Sequence, residues 1–86
     1  MRVVTLPLKF WRDHKNRGCS ESAVELKRNK VYVTVQLDDE AWQDIYSDAE
    51  YYATFTSIDP EAEADFIAFI PSAKATLKRL QEVVNK

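Results

Sequence analysis

Residues 4–19 read VTLPLKFWRDHKNRGC, and the fold depends on where the strand that opens this stretch gives way. Val4, Leu6, Leu8 and Phe10 occupy every second position, the period of a half-buried strand. Pro7 lies on the other face and has no N–H to give to a ladder, which places the strand at a sheet edge. On this reading the strand runs to Phe10, and the residues after it form a charged connection.

A second alternation brackets Arg28-Asn29: Val24 and Leu26 precede it, and Val31, Val33, Val35 and Leu37 follow. A two-residue turn there sets Leu26 opposite Val31 and Val24 opposite Val33, with Asn29 taking the positive φ such a turn needs. Beyond Leu37 the period changes. Asp38 or Asp39 is a candidate N-cap, and Trp42, Ile45, Tyr46, Ala49 and Tyr52/Ala53 make an apolar stripe on a helix ending near Phe55. Asp59-Pro60 reads as a further helix start, with Phe66, Ile70, Ala73, Leu77, Leu80 and Val84 as its seam. Pro71 interrupts that seam, and Pro-Ser before a helix-forming run predicts a break with Ser72 capping a new helix.

These elements predict one α+β domain over residues 1–86: a small antiparallel three-stranded sheet with two or three C-terminal helices packed on one face. The chain has 86 residues, 45% of them hydrophobic and 12% aromatic, enough for one modest core. A single Cys excludes an internal disulfide. The apolar run before Lys9 is too short for a secretory leader, and no stretch has the length that spans a bilayer, so a cytoplasmic protein without membrane contact is expected.

Charge is segregated along the chain. Residues 1–37 carry eight Lys/Arg against three carboxylates, residues 38–65 carry ten carboxylates and no Lys or Arg, and residues 66–86 carry four Lys/Arg against Glu82. Such separation bears on partners more than on fold.

Three chemistries compete for residues 9–19. A covalent reading makes Cys19 a nucleophile, His14 its base and Asp13 the orienter, but cysteine enzymes draw these partners from distant parts of the chain. One His and one Cys leave a zinc site two ligands short. Neither a catalytic site, a metal nor a cofactor is expected. Lys9, Arg12, Lys15 and Arg17 beside Phe10 and Trp11 instead combine cations with rings, the mixture used on single-stranded nucleic acid, with Lys27, Arg28 and Lys30 extending it. The sequence pI near 5.3 weighs against that reading.

The reading favoured by the sequence is a non-enzymatic interaction module that pairs with itself or with another protein. Its candidate contact residues are Trp11, Arg12, Lys15, Arg17, Tyr32, Asp44, Asp48 and Tyr51. Trp11 and Tyr32, beside Val3 and Thr5, would make an apolar patch on the outer sheet face. A homodimer could set the basic part of one chain against the acidic part of its partner. The alternatives are nucleic-acid binding through residues 9–17, and a DNA-mimic inhibitor that presents the carboxylates of 38–65 to a basic cleft.

Overall fold

The computed structural model describes residues 1–54 and 64–84, the side chains of 64–68 excepted. The element order is β1 (Arg2–Pro7), α1 (Leu8–Asn16), β2 (Val24–Arg28), β3 (Tyr32–Leu37), α2 (Asp39–Ala53) and α3 (Ala64–Val84). The strands form an antiparallel sheet of order β1-β3-β2, so the fold is α+β with two helices after the sheet and one inserted between β1 and β2.

The inserted helix corrects the expected strand to Phe10. Pro7 ends β1, and its fixed φ of −60° suits the residue that precedes a helix. The first amide of α1, on Leu8, donates to Val31 O at 2.9 Å, which satisfies one of the N–H groups a helix start leaves open. Phe10, Trp11 and His14 turn inward and are buried. Gly18 then closes the helix: its φ is +78°, its N–H donates to Lys15 O, and Cys19 N–H reaches back to His14 O. That pair of bonds is the Schellman stop, which favours glycine at the left-handed position.

The hairpin also differs from expectation. β2 pairs with β3 as Val24↔Gln36, Glu25↔Val35, Lys27↔Thr34 and Arg28↔Val33, so Leu26 is an extra residue in a β-bulge. Asn29 does not take a positive φ; its Oδ1 accepts the N–H groups of Val31 and Tyr32 and shapes the turn from the side chain. Val24 and Leu26 consequently do not enter the core, and each is about 51% exposed.

One face of the sheet supplies Val4, Leu6, Val33, Val35 and Leu37 to the core, all between 0% and 5% exposed. Trp42, Ile45 and Ala49 of α2 and Phe69, Ala73 and Leu80 of α3 pack against them. Each fully buried Leu, Ile or Val of this set contributes about 1.5–3 kcal/mol. Asp38 caps α2 by accepting from Ala41 N at 2.8 Å.

The predicted break at Pro71 does not occur, and α3 runs through it. Ser72 caps no new helix; its hydroxyl donates to Phe69 O at 2.6 Å, and Thr76 Oγ1 donates to Ser72 O. Pro71 itself is exposed, so its ring points away from the packed seam. The expected helix start at Asp59-Pro60 lies outside the described residues. Among the described residues no helix is long and apolar enough to cross a membrane.

Candidate functional site

The helical form of residues 8–16 sorts the stretch that looked most like a site. Phe10, Trp11 and His14 lie at i, i+1 and i+4 and face the core, while Lys9, Arg12 and Asn16 lie at i, i+3 and i+7 and share an outer face. This moves Trp11 away from the outer sheet face, where an apolar patch with Tyr32 had been expected. It is 3% exposed, beneath the Lys15 ammonium, which sits 5.6 Å from its ring centroid.

His14 is the buried hub. Its Nδ1 lies 2.6 Å from Asp48 Oδ2, and its Nε2 lies 2.7 Å from Ser20 Oγ. Ser20 Oγ donates to Ala41 O at 3.1 Å, and Ser20 N–H donates to Asp44 Oδ2 at 3.3 Å. A left-handed backbone at Ser20, with φ of 52°, aims both groups at α2. Lys15 Nζ donates to the Ser20 carbonyl at 3.0 Å, so the N–H, the carbonyl and the hydroxyl of Ser20 all bond side chains or backbone of α1 and α2.

Arg17 completes the cluster with a bidentate bond to Asp48, at 2.6 and 2.7 Å, and its guanidinium lies 5.1 Å from the Tyr52 ring centroid. Burial alone would push the Asp48 carboxyl up, but hydrogen bonds from His14 and Arg17 and their charge hold it below its ordinary 3.8. The Arg17 guanidinium loses hydration on burial, yet the Asp48 bond and charge bind its proton more tightly than usual.

Asp48, His14 and Ser20 are joined in the hydrogen-bond order of a hydrolase triad, with a different base partner and nucleophile from those the sequence suggested. The geometry is that of a sealed tie between α1 and α2. Ser20 is 1% exposed and His14 0%, so a substrate carbonyl has no approach to the hydroxyl. Cys19 is half-buried and does not meet the imidazole in a hydrogen bond. Among the described residues no three His, Cys, Asp or Glu side chains converge as a metal site.

The remaining contact candidates are scattered. Tyr32 is 38% exposed on the outer sheet face, with the Arg79 guanidinium 4.7 Å from its ring centroid. Tyr51 is 62% exposed and meets Tyr52 edge-on. Asp44 and Asp48 both accept hydrogen bonds from the α1 side of the molecule.

Among the described residues, the basic and acidic parts of the chain meet within one molecule at two ion pairs. Arg17 binds Asp48, and Arg2 binds Asp39 at 3.0 Å. Asp38 is spent on its cap and on the Ser22 hydroxyl. Asp59, Glu61 and Glu63 lie outside the described residues, as does the Asp65 side chain.

Two surfaces among the described residues are open enough to take a partner. The first is a groove of about 720 Å³ lined by Lys9, Arg12, Arg17, Lys30, Tyr52 and Phe69 among others. The second is the sheet face opposite the core. Registered pairs place Val3 with Gln36, Thr5 with Thr34 and Pro7 with Tyr32 on that face, and Val24 and Lys27 join them from β2. Sequence reasoning located Tyr32 and Val3 there but missed Val24, because the bulge at Leu26 shifts its partner. Comparison with protein-family models, curated proteins and solved structures found no match to this chain.

Proposed function

We propose that the protein is a non-enzymatic interaction module that self-associates by stacking the outer sheet faces of two copies. The observation that carries this reading is composition: of the eight strand residues on that face, Lys27 alone is charged, in a chain with 30% charged residues. The described helices pack on the other side, with the Arg79 side chain of α3 reaching round β1 to the Tyr32 ring, and Val3, Val24 and Tyr32 remain 53%, 51% and 38% exposed. Sheets stack face to face at about 10 Å when their side chains interdigitate. A two-fold axis would bring each copy's Val3 and Val24 under its partner's face, and the Thr5–Thr34 hydroxyl pair, 2.8 Å apart, leaves little unsatisfied polarity at the centre.

This contact is poor in charge, which separates it from a dimer held by opposite charges. Sedimentation over a concentration series at low and high salt should give a dimer that persists as salt rises. Val24→Glu combined with Tyr32→Glu should give a monomer with an unchanged helical circular dichroism signal. A monomer at every concentration overturns the reading, and a dimer dissolved by salt transfers it to the charged surfaces.

A further inference from the structure

We infer that the outer face of α1 is a binding track for single-stranded nucleic acid. Lys9, Arg12 and Asn16 stand on one helix face, and Lys30 approaches from the β2–β3 turn to line the same groove. A second, smaller groove of about 350 Å³ is lined by Arg12, Lys15, Asn16 and Arg28 among others. Arg12 and Asn16 belong to both, so the two depressions adjoin on α1, with the smaller one extending toward β2.

Electrostatics along this path favour a polyanion. Six cations line it, against two carboxylates, Asp13 and Glu25. Both carboxylates are already bound within the chain, Asp13 to Arg17 at 3.0 Å and Glu25 to Arg28. Lys9, Arg12 and Lys30 have neither an ion pair nor a side-chain hydrogen bond among the described residues, and all three are exposed. They are cations without an internal use in a chain whose formal net charge is −2.

Shape favours a nucleotide chain over an acidic peptide. The larger groove has the volume of a small-molecule site. Leu8, Tyr52 and Phe69 line it, and the Arg17 guanidinium lies over both rings at 5.1 and 5.8 Å from their centroids, so a base can lie against this guanidinium-capped wall while the other cations meet the phosphates. Asn16, whose amide has two donors and an acceptor, lines the same space and suits a base edge. This surface is distinct from the stacking face, so the two activities can be separated.

The test is fluorescence anisotropy with labelled oligothymidylate and oligouridylate, with poly-L-glutamate as competitor. Three phosphate contacts on a single strand give a log–log salt slope of about −2, or about 20-fold weaker binding between about 50 and about 200 mM salt. Lys9→Ala, Arg12→Ala and Lys30→Ala should each flatten the slope by about 0.7, and the triple variant should lose binding. Lys74→Ala, an exposed cation on α3, should bind as the parent does, and so should Val24→Glu/Tyr32→Glu. Absence of binding at low salt, a triple variant that binds normally, or equal binding of poly-L-glutamate overturns the inference.

Discussion

The imidazole of His14 in α1 and the carboxylate of Asp48 in α2 meet at 2.6 Å although 34 residues separate them. The bond lies in the interior and fixes how the inserted helix sits on its neighbour. Removing the ring leaves Ser20 Oγ and Asp48 each short of a partner in a nearly dry space. His14→Leu should therefore destabilise the protein by about 2–4 kcal/mol in urea unfolding, despite its similar volume. Ser20→Ala, which removes one hydroxyl, should cost about 1 kcal/mol. A double-mutant cycle between the two positions should show coupling.

Acid should loosen the same tie. The Asp48 carboxyl titrates lower in the folded chain than its ordinary 3.8, so the stability it contributes is fully present above that value. It is lost as pH falls through the lower, folded value, because the unfolded chain then binds the proton first. Unfolding free energy measured from neutral pH downward should fall in that acidic window. Asp48→Asn should start lower at neutral pH and show a shallower acid decline.

A proline scan separates a helix from a loop at residues 8–16. In a helix, Arg12 N–H is committed to Leu8 O, and a proline there costs about 3 kcal/mol or more. Arg12→Pro should therefore unfold at much lower urea than Arg12→Ala. Equal stability of the two variants would return this stretch to a turn.

Pro71 gives a test of the opposite sign. It stands exposed inside a continuous helix and withholds one backbone donor. Pro71→Ala restores that donor without touching the seam and should stabilise by about 1–3 kcal/mol. For a chain of this length each kcal/mol raises Tm by about 4–8 °C, readable by thermal circular dichroism.

Much of the fold is legible in residue spacing. Val33, Val35 and Leu37 alternate and are buried, and Asp38 caps a helix whose Trp42, Ile45 and Ala49 face inward. α1 was hidden because Leu8 and Phe10 continue the two-residue period of β1, and because its inward stripe ends in the polar His14. The lone glycine, Gly18, directly after the stretch was the signal for a helix stop. The hairpin register could not be counted from apolar positions, since the bulge at Leu26 and the Asn29 side chain both break strict alternation. The His14–Asp48–Ser20 tie was out of reach for another reason: it depends on how three separate segments dock, which local spacing does not encode.

The bulge at Leu26 has a consequence for how large any assembly can grow. A straight, unpaired margin on β2 would recruit strand after strand and lead to fibres, but an irregular one mates poorly with a neighbour. At the opposite margin Arg79 donates to Thr5 O and occupies that carbonyl. With both lateral routes obstructed, strand-by-strand growth at the sheet edges is disfavoured, and the proposed face-to-face pairing would close at two copies.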